Sequence, residues 1–316
     1  MLGSGLWGLG SDSYGNFSDN YSKNIIKYQI KKGISFFDTS DSYGNGRSEK
    51  LLGQVVSELK NREKIIIATK VGLLPHKGFF MPTNFKLDYV KKKLNESLNN
   101  LDTNYIDIYQ LHSPDRGSIE DIKQTIEWLY SQKEKGVVKK IGISARSPED
   151  ALFFLNNISF DTIQCNFNLI DQRIIETGLL EYCKVNNLQI IARTPLAFGF
   201  LTGKLTSSKK QFTINDHRAK WPQEQLDIWA SAHLEFKQIS TELSLSPLDL
   251  AHQFIKFFQP SIFTTICGMH SKIETDQNLL AYYEKKSLDQ STITKIQNIY
   301  KNKEFFIKGI KSKGVQ

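Results

Sequence analysis

The chain is expected to fold as a parallel, eight-stranded (β/α)8 TIM barrel, and three features of the sequence predict it. Eight short β-rich apolar runs alternate with longer amphipathic stretches, the pattern of βα units around a parallel sheet. Runs such as Ile65-Ile66-Ile67 lack the alternation of a half-exposed strand, as expected where both faces are buried. At 316 residues the chain is long for an ordinary domain, yet within the range in which an α/β barrel stays one unit. The whole of 1–316 is therefore read as a single barrel domain.

Strands are predicted at 4–6, 35–38, 64–70, 105–111, 140–144, 162–166, 189–193 and 262–267, where the apolar runs fall. Helices are predicted between and after them at 19–32, 48–59, 86–98, 118–135, 148–157, 174–186, 247–258 and 274–283. Ser147 ahead of Pro148-Glu149-Asp150 marks a helix start, with a capping hydroxyl, a proline at the first helical position and acids in the first turn. From Leu196 to about Gln223 the rhythm breaks, and Gly, Ser, Thr and Lys replace periodicity before a further helical run at 225–243. Structureless stretches of that length are usually functional or disordered. This one follows a strand end, so it is expected over the barrel mouth, placed to close on a ligand.

The formal charge is +8, but the lysines are scattered; Lys91 to Lys93 and Lys301 to Lys313 read as solvated helix faces and a tail. A nucleic-acid partner is not expected from that distribution. Cys165, Cys183 and Cys267 have neither CxxC nor Cys/His ligand spacing, and read as buried thiols in a reducing cytoplasm, with no metal site. No basic leader and no run of roughly 18 apolar residues is present, so a membrane span is not expected.

The chemistry is carried by four polar residues. Asp38, Lys70 and His112 each close a predicted strand, and Tyr43 lies in the loop after the first of them. Active sites of this fold gather at the C-terminal strand ends, so the four are expected to meet at one mouth. A phenol titrates near pH 10 and donates a proton poorly at neutrality unless neighbours favour its ionised form. A buried lysine loses its proton unless a carboxylate holds it, which gives Asp38 its task beside Lys70. Lys70 would then lower the Tyr43 pKa, and His112 would orient a carbonyl oxygen or share the proton transfer. Taken singly, each residue is as well explained by a structural ion pair or a satisfied hydrogen bond; the four together in successive strand-end positions are not.

Gly3-x-Gly5-x-x-Gly8 has the spacing of the dinucleotide fingerprint of an open doubly wound sheet. It is set aside because 10–16 reads as a loop rather than a helix opening at the glycines, and because Asp38 lies too far downstream.

The motifs resemble those of the aldo-keto reductase family. Phe36-Phe37-Asp38-Thr39-Ser40-Asp41-Ser42-Tyr43-Gly44, followed by Gly46-Arg47-Ser48-Glu49-Lys50-Leu51-Leu52-Gly53, is similar to the family's first signature almost throughout. Ala68-Thr69-Lys70-Val71-Gly72, Asp107-Ile108-Tyr109-Gln110-Leu111-His112-Ser113-Pro114 and Gly142-Ile143-Ser144 follow in the family's order. The resemblance implies reversible hydride transfer from a nicotinamide cofactor to an aldehyde, ketone or sugar-derived carbonyl. Tyr43 would be the general acid, Lys70 and Asp38 its tuning pair, and His112 the residue that places the substrate.

The same resemblance implies a cofactor site. Ser144 and Gln164 match the residues that hold the nicotinamide carboxamide, and Thr194-Pro195-Leu196-Ala197 with Gly199 to Lys204 matches the pyrophosphate loop. Gly268 and Asn278, with His270, Lys272 and Glu274 between them, match the adenosine phosphate clamp, and Trp7 falls near the substrate. The chain departs from the pattern in three places. Ala145 stands where the family has Asn, Arg193 where many members stack a tyrosine on the nicotinamide, and Met269-His270 where a basic residue meets the 2′-phosphate. NADPH is the implied cofactor, with NADH as the alternative. Leu2 to Gly8 resembles the family's first barrel strand, so the usual N-terminal hairpin is expected to be missing. Phe79, Phe80, Trp221 and Trp229 either line the substrate pocket or pack. The alternative function is a cofactor-sensing regulatory subunit with little or no turnover, whose mark would be loss of one of the four polar residues. All four are present.

Overall fold

The computed structural model describes residues 1–75, 81–285 and 287–308. Strands β1 (Leu2–Gly5), β2 (Phe36–Asp38), β3 (Ile66–Val71), β4 (Ile106–His112), β5 (Val138–Ser144), β6 (Thr162–Asn166), β7 (Gln189–Arg193) and β8 (Ile262–Gly268) pair in chain order. Every pairing is parallel, and β1 also pairs with β8, which closes the barrel. Among the described residues no helix is long and apolar enough to cross a membrane. Phe79 and Phe80 lie outside the described residues.

The expected strands recur with shifted ends. β3 starts at Ile66 because Arg62–Lys64 forms a 3-10 turn, whose Arg62 donates to Ile65 O and pairs with Asp107 at 2.7 Å. β1 starts at Leu2, two residues earlier than expected, because Leu2 to Gly5 pair with Thr265 to Gly268.

Two helical expectations are corrected. The run expected at 174–186 is two pieces, Arg173–Glu176 and Leu179–Val185, divided at Gly178 with φ 76°. The run expected at 225–243 is Gln223–Ala232 and Lys237–Glu242, joined by a 3-10 turn at His233–Phe236. Sequence periodicity also missed a one-turn helix at Trp7–Gly10 and a full helix at Gln290–Lys301. A helical turn therefore does open at Gly8; the fingerprint reading fails because the sheet is a closed barrel. Nor is the chain a solvated tail directly after Lys301. Phe305 stacks between Phe236 and Tyr300, and Phe306 meets Trp229, so this segment covers apolar surface.

Alternation along the strands divides the barrel interior into two levels. Near the N-terminal strand ends Phe36, Ala68, Ile108, Ile191 and Ile266 form an apolar plug, with Met1, Ile66 and Phe263 packed against it. Two residues further along the same strands stand Asp38, Lys70, Gln110 and Arg193, with Gly268 on β8 adding no side chain. The plug contributes burial, and the level above it carries polar groups that need partners.

Candidate active site

Lys70 is fully buried on β3, and its ammonium is surrounded by acceptors. Nζ donates to Asp38 Oδ1 at 2.5 Å, to Thr39 O at 2.9 Å and to Tyr43 Oη at 3.1 Å. Burial pulls the Lys70 pKa down, but the Asp38 carboxylate and Tyr43 outweigh it, so the net shift is upward and the amine stays charged. Asp38 is held from its other side by Gln164 Nε2, which donates to Oδ2 at 2.6 Å, and by Gln110 Nε2 at 3.5 Å.

Tyr43 sits on a turn that only a small neighbour permits. Gly44 has φ 59°, and a Cβ there would come within 2.1 Å of Gly10 O. The expected net lowering of the Tyr43 pKa is corrected: burial pushes the phenol up by more than Lys70 pulls it down, and the net direction is upward. Lys70 still acts in the expected sense, through its charge and its hydrogen bond, and Arg193 adds a weaker pull the same way. The imidazole of His112, at the end of β4, meets the Tyr43 ring edge to face at 6.0 Å.

A cavity of about 990 Å³ opens on these groups, and Asp38, Tyr43 and His112 line it. Lys70 is not on the wall; it reaches the cavity through Tyr43. Gln164, Arg193, Thr194, Pro195, Leu196 and Gly199 lie on the wall, as do Gly268, His270, Glu274 and Asn278 toward the other end. Ser144 lies behind it: its Oγ donates to Gln164 Oε1 at 3.1 Å and accepts from Arg193 Nη1 at 2.8 Å. Arg193 also donates to Asn166 Oδ1 and Ala145 O, both at 2.8 Å, so the guanidinium plane is fixed by neutral acceptors. The loop after β7 holds Thr194, Ala197, Phe198 and Gly199 at φ 59°, 44°, 58° and 98°. Such left-handed backbone at non-glycine residues is typical of ligand-binding turns.

At the far end His270 stacks against Phe17 and meets the Tyr14 ring at a tilt, and its backbone N–H donates to Glu274 Oε2 at 2.6 Å. Gly8 makes room for the ring, since a Cβ there would fall 2.1 Å from His270 Nε2. Asn278 is held by His252 Nε2 at 2.7 Å and donates to Glu274 O at 2.8 Å. Lys272 lies off the cavity wall, exposed, with its ammonium over the Tyr28 ring.

Trp7 lines the cavity beside Tyr43, at 6.3 Å between ring centroids, and packs on His217 at 4.6 Å. His217 comes from the long segment after β7 and is tied down by its backbone N–H, which donates to Ser13 O at 2.9 Å. Burial drives its pKa down to about 3, so the ring is neutral. That segment does lie over the mouth, as its position after a strand predicts. Trp221 is on the cavity wall, whereas Trp229 packs behind it against Phe198, Phe200 and Phe306.

Sequence reasoning missed Gln110 and Asn166, which hold Asp38 and Arg193, and Asp41, a buried carboxyl on the wall. The first two lie in phase with His112 and Gln164 on their strands, a signal that alternation offers once the inward face is known.

The residues suit a nicotinamide dinucleotide. Arg193, Lys204, Arg218 and Lys220 place cations along the wall for a diphosphate, and at the far end His270 Nε2 is buried without a hydrogen-bond partner. A (β/α)8 barrel with a phenol held against a charged lysine at the mouth of such a cavity defines an oxidoreductase by class.

Residues 1–301 match the Aldo/keto reductase family, and the chain belongs to it; it is an NAD(P)H-dependent oxidoreductase. It is similar to L-galactose dehydrogenase of Arabidopsis thaliana, 30% identical over 308 residues, covering 94% of this chain and 89% of the relative. Aldo-keto reductase YhdN of Bacillus subtilis is 29% identical over 261 residues, covering 80% and 76%. The solved structure of a glycerol dehydrogenase from Gluconobacter oxydans shares the fold, with a TM-score of 0.77 at 24% identity over 95% of this chain and 91% of that one.

Proposed function

We propose that the protein reduces an aldehyde or ketone, sugar-derived carbonyls included, to an alcohol, with Tyr43 as the general acid. The observation that carries this reading is the line Asp38–Lys70–Tyr43, with hydrogen bonds of 2.5 and 3.1 Å ending on a phenol that lines the cavity. The bound nicotinamide supplies the hydride. Tyr43 gives its proton to the developing alkoxide, and the adjacent ammonium stabilises the phenolate left behind. Asp38 keeps that ammonium charged in a site where burial alone would neutralise it. His112 orients the carbonyl oxygen toward Tyr43, while Trp7 and His217 supply an aromatic wall that excludes water.

Gln164 and Ser144 would hold the carboxamide, with Arg193 fixed beside them, and Thr194 to Gly199 would hold the diphosphate. Gly268, His270, Glu274 and Asn278 would hold the adenosine end. The test follows NADPH and NADH absorbance with and without a panel of aldehydes, ketones and aldoses. A fall that depends on the carbonyl supports the reading. Tight cofactor binding with no carbonyl-dependent fall over the whole panel would contradict it and favour a cofactor-sensing subunit.

A further inference from the structure

Behind His112 lies a buried polar chain that the proposed chemistry does not use. Ser40 is fully buried, and its Oγ stands 3.2 Å from His112 Nδ1 and 3.3 Å from Asp41 Oδ1. It also accepts from the Ser42 backbone N–H at 3.2 Å and lies 2.9 Å from Ser42 Oγ. Asp41 is 7% exposed and lines the cavity, and among the described residues no cation is within ion-pair distance of it.

A hydroxyl has one proton and two lone pairs, so its neighbours cannot be assigned independently. The Ser42 N–H fills one lone pair of Ser40. When Asp41 is ionised it can only accept, so it takes the Ser40 proton. With the Ser42 Oγ proton turned away from Ser40, the remaining Ser40 lone pair faces His112 Nδ1, which then carries the ring proton. When Asp41 is protonated it donates to Ser40, the Ser40 hydroxyl turns to donate to Nδ1, and the ring proton sits on Nε2. With Nδ1 engaged by Ser40, Nε2 is the nitrogen through which His112 meets a carbonyl oxygen in the function proposed above.

We propose that Asp41, acting through Ser40, selects which ring nitrogen of His112 carries the proton, and thereby whether His112 presents a donor or an acceptor to the substrate oxygen. Protonated Asp41 sets the Nε2–H form, which donates to a carbonyl and suits reduction. Ionised Asp41 sets the Nδ1–H form, whose Nε2 accepts from an alcohol and suits oxidation. The change releases one proton from Asp41 to solvent and moves the imidazole proton between ring nitrogens, with no other bond altered. Asp41 is therefore a positioning residue.

Both states are accessible near neutrality. Burial first, and then the Glu49 carboxylate, push the Asp41 pKa up to about 7, against the weaker pull of Lys93 and of hydrogen bonds from Ser40 and Ser42. The groups that face Asp41 are Glu49 on the Arg47–Leu59 helix, Tyr89 and Lys93 on the Leu87–Asn100 helix, and Tyr109 on β4. Glu49 and the two tyrosines are themselves shifted upward by burial, and Lys93 pairs with Glu96 at 2.8 Å.

The inference rests on the His112 role proposed above but can be tested without turnover. Nitrogen NMR of the full chain labelled with ¹⁵N-histidine, with His112 assigned through a His112→Gln variant, reads the tautomer directly. Between about pH 5 and 9 the His112 signals should exchange the Nε2–H pattern for the Nδ1–H pattern, with a midpoint near 7. Asp41→Asn removes the titrating group, and Ser40→Ala keeps the carboxyl but cuts the chain; each should leave one tautomer across the range. A wild-type ring that keeps one tautomer, a Ser40→Ala ring that still switches at the same midpoint, or conversion to imidazolium with both nitrogens protonated would overturn the proposal. In turnover, the ratio of reduction rates at about pH 6 and 8 should change by roughly tenfold in wild type and flatten to within about twofold in both variants. The Tyr43→Phe protein should retain the NMR switch, so failure of Tyr43 as the acid and failure of this inference are separable.

Discussion

The two ends of the cavity hold their charges differently. At the Tyr43 end the groups that hold the phenol stand on strands: Lys70 is fully buried, saturated by three acceptors, and paired in register with Gln110 on β4, with Asp38 at the end of β2. At the Gly268 end they stand at the junction of β8 with the Lys272–Tyr283 helix, where Lys272 is exposed and Glu274 half-exposed. Ser271 caps that helix by accepting from the Glu274 N–H, and Glu274 turns back to the His270 N–H. Proton transfer needs donor and acceptor held within hydrogen-bond reach, and Lys70 on β3 holds the Tyr43 hydroxyl from a rigid strand. Anchoring a nucleotide tolerates a looser frame.

That contrast can be broken first at its rigid end. Lys70→Met removes the group that stabilises the phenolate, and kcat should fall on the order of 10² to 10⁴-fold with the cofactor Kd little changed. The same substitution leaves burial at Tyr43 opposed only by the weaker pull of Arg193, so its pKa should rise further. Reduction uses the protonated phenol and oxidation the phenolate; the alkaline limb of reduction and the acid limb of oxidation should both move up, and steady-state pH profiles in the two directions check the sign. Asp38→Asn strips the counter-charge from a buried ammonium, and roughly 3 to 5 kcal/mol of stability should be lost, read from urea unfolding.

The looser end should respond mainly in binding. Gly8→Ala drives a methyl into His270 Nε2, so cofactor affinity should weaken by about tenfold while kcat at saturating cofactor stays near wild type. Lys272→Ala should have the smallest effect, within about twofold for NADPH and NADH alike, because the side chain is exposed and directed to Tyr28 rather than to the cavity. A large loss of NADPH affinity there would show that Lys272 swings inward to meet the 2′-phosphate.

The same division explains what could be read from the sequence. The strands and the Asp38, Tyr43, Lys70 and His112 constellation were legible because each lies inside or just beyond a continuous apolar run. Gln110 and Asn166 were not, because a lone polar residue within an apolar strand acquires its role only through cross-strand register. The closure by His217 depends on a contact with Ser13 across most of the chain, and Phe305 and Phe306 depend on Phe236 and Trp229 in the same way. The Tyr43 pKa was misjudged because sequence shows the neighbouring charge but not the depth of burial. Asp41 lay in view within the first motif, and its burial and its distance to Ser40 are what separate it from a surface acid.

The role of the Tyr43 hydroxyl as proton donor is read most cleanly from its removal. Tyr43→Phe keeps the ring beside His112 and Trp7 and removes only the oxygen that Lys70 meets at 3.1 Å. Single-turnover oxidation of prebound NADPH or NADH by a reactive aldehyde should slow by at least roughly 10³-fold, with cofactor affinity within about twofold of wild type. Turnover within a few fold of wild type would contradict the account.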